Sequence, residues 1–369
     1  MPEPNRQDQQ AELEEALSET PAAPGPRRYV VPALKLLVAG GLLYYVFAYK
    51  VDQQAKERLL SILFHTPHIM AMAIAAISMQ LFIGAQRLRM LLKPQGVLLS
   101  YGQSIKLTYL GAFFDTFMIT SVGGDAVKAW YLAKQTEKEK RLGAVSVLVL
   151  DRLLGLLGLL ALTVVMTLWN IRSLHDDAEI RPYVIWLFIV PAMLMVGTFM
   201  LLSNRVRTLA PMQFMLMKMP GGKIIDRAYA SLQRFKERPA ILLSAWGLSL
   251  LVHISGVLAG YILLQGMGQQ ADLGKFFVAW FISNFITSFA PFGGVGTGQV
   301  LYELVFSRIV DLPPGMGVIL ATTLQVSVVL SKSPGFIAWL LARRTGPASA
   351  PAPVPNAVPA AAVQEKGTA

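Results

Sequence analysis

The chain has 369 residues, of which 54% are hydrophobic and only 15% are charged, and its mean hydropathy is +0.50. Soluble domains carry about a quarter charged residues, so this composition excludes a disordered chain and argues against a soluble enzyme. The formal net charge of +11 on so apolar a chain is typical of a membrane protein with basic cytoplasmic loops. No polar basic domain is present that would bind nucleic acid. Cysteine is absent, which excludes disulfides and cysteine zinc sites, and we expect neither a metal nor another cofactor.

The two ends of the chain differ from its centre. Residues 1–29 are polar and acidic, and residues 343–369 are rich in proline and alanine. Both compositions predict disordered tails, which we expect in the cytoplasm. Residues 30–342 are then the membrane domain.

Six apolar segments are long enough to cross a bilayer, whose core needs about 20 helical residues. They are 30–49, 68–86, 143–169, 182–203, 240–264 and 315–341. Two further apolar stretches, 101–121 and 274–310, are each interrupted by a diglycine. Broken backbone is tolerated at membrane depth only inside protein or beside water. We therefore predict an all-α polytopic protein with about six full spans and two re-entrant broken-helix hairpins.

The distribution of positive charge favours this hairpin topology. If both broken stretches enter and return on one side, the inside holds two Lys or Arg in 27–28, nine in 87–141, eight in 204–239 and two in 343–344, which gives 21 against seven outside. Full crossings by all eight segments give at best 17 against 10. Cytoplasmic loops carry the excess of Lys and Arg, so we expect both termini in the cytoplasm of a cell-membrane protein. The second half would then repeat the first upside down, as in many transporters.

The first broken stretch contains Gly123, Gly124 and Asp125 ahead of an expected helix. One interpretation is structural, with Asp125 as the helix N-cap. The other is functional, because exposed amides at a helix start favour anions. With Lys128 one turn later, they would hold a lipid phosphate, and Asp125 would tune or gate the site.

Asp151 and Arg152 lie inside an apolar span, where ionisable residues cost about 2.5–3.5 kcal/mol each on insertion scales. Neighbours on a helix point about 100° apart, so the two side chains should reach different partners. We expect Asp151 to pair with Lys128 or Arg87, and Arg152 to be a candidate for phosphate contact. A structural pair that locks two helices is the alternative.

The second broken stretch contains Gly293, Gly294 and Gly296. It follows an apolar aromatic helix and not a strand, so a nucleotide-binding loop is not expected. We interpret these glycines as the bend of the second hairpin.

Other polar residues in the spans give weaker signals. Gln80, His253, Gln325 and Lys332 are expected to form hydrogen bonds between helices. Glu303 is either a proton carrier or a residue that faces water. Residues 223–238, within the cytoplasmic loop 204–239, show the spacing of an amphipathic helix on the membrane surface.

Three sequence blocks together resemble the flippase-like membrane domain of the lysylphosphatidylglycerol synthases: FFDTFMITSVGGDAVKAWYLAK, SVLVLDRLLGLLGL and APFGGVGTGQ. The resemblance covers roughly residues 30–342. The family usually has Asn and Pro before the GGD and Arg after it, where this chain has Asp115, Ile119 and Lys128. It usually has Arg and Glu where this chain has Gly298 and Gln299.

The resemblance implies a function in moving a lipid. The expected protein is a flippase or transporter that moves a polar-headed lipid between leaflets, with aminoacylated and glycosylated lipids among the candidates. It is not expected to be an enzyme, because the soluble synthase domain of bifunctional relatives is missing from this sequence. The alternatives are a non-transporting partner of a lipid- or glycan-modifying enzyme, or a membrane enzyme with a lipid-linked substrate. The oligomeric state is left open. The matching positions form the expected substrate path: Gly123, Gly124, Asp125, Lys128, Asp151, Arg152, Gly293, Gly294 and Gly296.

Overall fold

The structure is a computed structural model that describes residues 65–117, 123–172, 237–287 and 296–344, with isolated positions at 57, 60, 61, 185, 188–190, 192–193, 195–196 and 235. The expected spans at 30–49 and 182–203 lie wholly or mostly outside this part of the chain. So do the amino-terminal tail, nearly all of the carboxy-terminal tail and most of the loop 204–239.

The described residues of the first half form two long helices with two shorter helices between them. Helix α1 ends in a short 3₁₀ turn and a left-handed Gly96, whose φ of 71° suits glycine. A shorter helix follows, and beyond residues 118–122 a second short helix precedes the next long one. The bounds are α1 Pro67–Leu92, α2 Tyr101–Phe117, α3 Gly123–Gln135 and α4 Lys138–Trp169.

The second half has the same order of elements. A long helix is followed by two short ones and then by a final apolar segment, which Pro334 divides because proline lacks the amide that helix continuation needs. The expected span at 315–341 is thus built from two consecutive helices. The bounds are α5 Pro239–Gly266, α6 Leu273–Thr287, α7 Thr297–Ile309, α8 Met316–Lys332 and α9 Pro334–Arg344.

Four segments of the described chain are long and apolar enough to cross a membrane: Pro67–Gln95, Lys138–Trp169, Pro239–Gly266 and Met316–Leu340. They correspond to four of the six expected spans. Every regular element among the described residues is helical, which confirms the all-α polytopic fold class. The number of spans and the inverted repeat stay predictions.

The core is built where these long helices pack together. Helices α1 and α5 share the most extensive helix contact. An aromatic cluster fills the space between α6 and α7, where Phe276 packs edge-on against Phe306 at a centroid distance of 5.4 Å. Both rings are fully buried, so the second hairpin is anchored by apolar packing.

Contacts between residues at the helix ends show where each pair of short helices begins and ends. A Cβ on Gly96, just after α1, would lie 3.4 Å from Cε of Lys140 at the start of α4, so α2 and α3 leave and return at one end of the bundle. The Lys275 amine, at the start of α6, lies 3.1 Å from Asp311, just after α7, so the second pair also returns to its starting end. Both pairs therefore have the shape of a hairpin.

The two hairpins open at opposite ends of α4. The first opens beside Lys140, near the beginning of that helix. The second opens beside Asn170, which follows the end of α4, because a Cβ on Gly274 would overlap the Asn170 carboxamide. This arrangement is the one that an inverted repeat requires.

Candidate functional site

The start of α3 is occupied by a carboxylate of the protein itself. Helix α3 begins at Gly123, as the diglycine predicts, and the Gly124 amide donates a 3.0 Å hydrogen bond to Oδ1 of Asp115 on α2. The expectation that Asp125 is the N-cap is wrong, because Asp125 lies inside the first turn. Asp115 satisfies this helix-start amide because the hairpin folds α2 back against α3.

Glycine permits a very close approach of α2 to α3. A Cβ on Gly124 would overlap the carbonyl oxygen of Gly111 and lie 2.8 Å from Cγ of Asp115. The aliphatic stem of Lys128 crosses Gly111, where a Cβ would lie 2.8 Å from its Cγ. Both glycines thus create the space in which the charged side chains of the hairpin meet.

Arg152 on α4 connects the two helices of this hairpin. Its Nε donates to Asp125 on α3, and its Nη2 lies 3.0 Å from Oδ2 of Asp115 on α2. Lys128 pairs with the other oxygen of Asp125 at 3.3 Å. We call Asp115, Asp125, Lys128 and Arg152 the hairpin charge cluster.

The hairpin charge cluster lies near the middle of α4 and is partly exposed. Arg152 is 14 residues from the start of α4, about 21 Å along the helix axis, and 17 residues from its end. Its side chain is 50% exposed, whereas that of Asp125 is 14% exposed. Charged groups at such depth face the interior of a bundle or a water-filled cavity, so the exposed part of Arg152 marks where the cluster can be reached.

Asp151 forms a separate buried ion pair on the other side of α4. Arg87 of α1 holds it at two points, with Nε–Oδ1 at 2.7 Å and Nη2–Oδ2 at 3.0 Å. The remaining Nη1 donates to Oγ of Ser249 on α5 at 2.7 Å. The two side chains of the pair are 11% and 13% exposed. The expected pairing with Arg87 is confirmed, and this pair joins three helices.

His253 extends this buried network. Its Nε2 lies 2.9 Å from the carbonyl oxygen of Gly155, one helical turn after Asp151. A Cβ on Gly155 would lie 3.5 Å from Nη1 of Arg87. The expected role of His253 in a hydrogen bond between helices is therefore confirmed.

Lys332 is the residue whose position sequence reasoning missed. It ends α8, and Gly335, three residues later, packs against Phe113 of α2, so this helix end lies beside the first hairpin. Within the part of the chain that the structure describes, it forms no hydrogen bond or ion pair. The expected hydrogen bond between helices is not found there. Lys332 is 217 residues from Asp115 in the sequence, so no local pattern could have indicated this proximity.

The second hairpin carries a neutral turn. Gly293 and Gly294 lie outside the described residues. Gly296 precedes α7 with a φ of 82°, a conformation that glycine adopts readily, and its amide donates a 2.7 Å hydrogen bond to the Gln299 side chain. Among the described residues, no hydrogen bond or ion pair joins either residue to the hairpin charge cluster.

Glu303 has a structural position. Its carboxylate accepts hydrogen bonds from the amides of Gly315 at 2.7 Å and Val318 at 3.2 Å. These amides open α8, so Glu303 on α7 caps the neighbouring helix. This geometry gives it a different role from the two that the sequence suggests.

Comparison with protein families found one that covers most of the chain. The lysylphosphatidylglycerol synthase TM region matches residues 33–331. The chain belongs to this family. Comparison with curated proteins and with solved structures found no match. The expected family is thus confirmed, and the protein is a multi-pass member of it.

Two positions at which this family member departs from the resemblance now have a structural role. Asp115, in place of the usual Asn, supplies a full negative charge to Arg152 and to the α3 start. Gln299, in place of the usual Glu, is 3% exposed and closes the turn before α7 without a charge. The structure thus places the charge in the first hairpin and leaves the described turn of the second hairpin neutral.

Proposed function

We propose that the protein moves a polar-headed lipid between the leaflets of the cell membrane, with the head group passing the hairpin charge cluster. The observation that carries this proposal is Arg152, which is half exposed in the middle of an apolar helix and held by one carboxylate from each helix of the hairpin. A fixed structural pair needs no such exposure. A head group that enters from the exposed side would reach the guanidinium directly.

The ion pairs give the cluster a way to release and rebind its charges. An anionic group of the lipid competes with Asp115 and Asp125 for Arg152, and the carboxylates re-form their bonds when the lipid leaves. Because Arg152 joins α2 and α3 to α4, breaking its ion pairs with Asp115 and Asp125 loosens the first hairpin from α4. The buried Arg87–Asp151 pair holds α4 to α1 throughout.

This proposal gives the protein a transport role without a catalytic one, in a topology with both termini in the cytoplasm. Membership of the lysylphosphatidylglycerol synthase TM family supports it, since the match lies in the membrane region of that family. Aminoacylated and glycosylated lipids are the substrates to test beside ordinary phospholipids.

The test is leaflet exchange in vesicles that contain the purified protein. Fluorescent lipids with anionic, zwitterionic, aminoacylated and glycosylated head groups are compared with protein-free vesicles. Protein-dependent exchange of at least one class, reduced about tenfold or more in Arg152→Gln, is the expected result. No exchange of any class by correctly folded protein would overturn transport and favour a non-transporting partner of a lipid- or glycan-modifying enzyme.

A further inference from the structure

The charges of the described residues around the first hairpin do not balance. Gly335, three residues after Lys332, packs against α2, because an added Cβ would lie 2.8 Å from Cβ of Phe113, two residues before Asp115. The end of α8 therefore brings Lys332 towards the hairpin charge cluster, where Asp115 and Asp125 face Lys128 and Arg152. The five residues together carry three positive charges and two negative ones. Among the described residues, Lys128 and Arg152 pair with both carboxylates, so Lys332 is the one of these five residues that forms no ion pair there.

The sequence between α2 and α3 and the sequence between α6 and α7 carry no acidic side chain. Residues 118–122 and 288–295, which lie outside the described part, contain no Asp or Glu. The carbonyls at the end of α8 favour a cation, but such a terminus contributes at most about 2 kcal/mol at a partly buried site. That is less than the cost of about 2.5–3.5 kcal/mol for a lysine at the centre of a span. The end of α8 alone therefore does not account for Lys332.

An apolar aromatic surface lies next to these charges. Phe114, the residue before Asp115, packs edge-on against Trp339 of α9 at a centroid distance of 6.1 Å. Trp339 also stacks on Phe336 at 5.8 Å. Phe336 and Ile337 are 41% and 59% exposed. A cation beside exposed apolar groups suits a ligand with a charged head and an apolar tail better than it suits a free ion.

We infer that Lys332 binds the phosphodiester of a lipid head group with a net charge of −1. This inference rests on the lipid-transport function proposed above and specifies the head group. One negative charge neutralises the group of five, whereas a zwitterionic head group would bring a further cation beside Lys128 and Arg152. Lysine acts here as a point charge for a phosphate oxygen.

The experiment measures equilibrium binding of radiolabelled phosphatidylglycerol and phosphatidylcholine to the purified full-length protein in detergent. Wild type is compared with K332Q, K332R and K275Q. Lys275 is the matched control, because it pairs with Asp311 near the second hairpin. Inorganic phosphate is added as a competitor, and the melting temperature of each variant is recorded.

The inference predicts that K332Q weakens phosphatidylglycerol binding about tenfold, the usual loss for one charge-assisted hydrogen bond. K332R and K275Q should stay within about twofold of wild type. Equal binding by wild type and folded K332Q would overturn the inference. If K332Q does not fold, the comparison of the two lipids on wild type tests the inference. A preference for phosphatidylglycerol over phosphatidylcholine below about twofold would then overturn the inference. Full displacement by millimolar phosphate would overturn the lipid assignment in favour of a free anion.

The outcome for Lys332 is separable from the outcome for transport. Binding that depends on Lys332 without leaflet exchange would overturn the proposed function and leave the binding site intact. Leaflet exchange by a protein whose phosphatidylglycerol binding does not depend on Lys332 would overturn the binding site and leave the proposed function intact.

Discussion

Asp151 and Arg152 are neighbours in the sequence, yet their side chains bind on different sides of α4. Asp151 binds Arg87 of α1, and Arg152 binds Asp115 and Asp125 of the first hairpin. The angle of about 100° between adjacent helical residues produces this division. One pair is buried and joins long helices, while the other is accessible and joins the hairpin to them.

The buried pair should behave as a unit in stability measurements. Asp151→Asn and Arg87→Gln each leave one uncompensated buried charge, which costs about 3–5 kcal/mol in folded proteins. The double variant removes both charges and should be more stable than either single variant. Thermal unfolding in detergent measures this order.

Lys140→Gln is the control for this series, since its pair with Glu137 has side chains that are 42% and 66% exposed. Its melting temperature should stay close to that of wild type, because exposed pairs contribute little. A double variant that is no more stable than the worse single variant would contradict the assignment of Arg87–Asp151 as a coupled pair.

Gly124 should not tolerate a methyl group. In Gly124→Ala the new Cβ would overlap the Gly111 carbonyl and push α3 from α2. Such overpacking typically costs about 1–3 kcal/mol, and it would also displace Asp115 from Arg152. Gly84→Ala on α1 is the control, because its Cβ meets nothing within 4 Å. It should stabilise the helix by up to about 1 kcal/mol, and equal melting temperatures for the two variants would refute the close approach.

Glu303 should matter for stability and not for proton movement. Glu303→Ala removes the cap of α8 and should lower the free energy of unfolding by about 0.5–2 kcal/mol. Glu303→Gln keeps an acceptor oxygen and should lose less. Leaflet exchange by the folded Gln variant should keep its rate and pH dependence. A flattened pH profile in that variant would instead assign proton transfer to Glu303.

The hairpin topology can be tested with single cysteines, because the chain has none of its own. Glu139→Cys, near the opening of the first hairpin, should react with a membrane-impermeant maleimide only from the cytoplasmic side. Gln270→Cys, between α5 and α6, should react only from outside. Both positions are exposed. Labelling of both from one side would rule out hairpins that open on opposite faces of the membrane.

The sequence predicted features that depend on local chemistry. The diglycine marks the start of α3, and the charges of Asp151 and Arg152 inside an apolar span indicate that they have partners. For Asp151 the sequence left Lys128 and Arg87 as alternatives, and the structure shows Arg87. What could not be predicted depends on how distant helices pack. Asp115 caps α3 because the hairpin folds back, Glu303 caps α8 across a helix boundary, and Lys332 reaches the cluster from the far end of the chain. A polar residue in a span indicates that it has a partner, but the sequence does not identify which residue that partner is.

The measurement that tests the central claim most directly is leaflet exchange by Arg152→Gln against Lys140→Gln in identical vesicles. Both variants remove one positive charge, but only Arg152 belongs to the hairpin charge cluster. We predict that exchange falls about tenfold or more in Arg152→Gln and stays near the wild-type rate in Lys140→Gln, with both proteins folded. Equal exchange rates in the two variants would show that the head group does not pass this cluster.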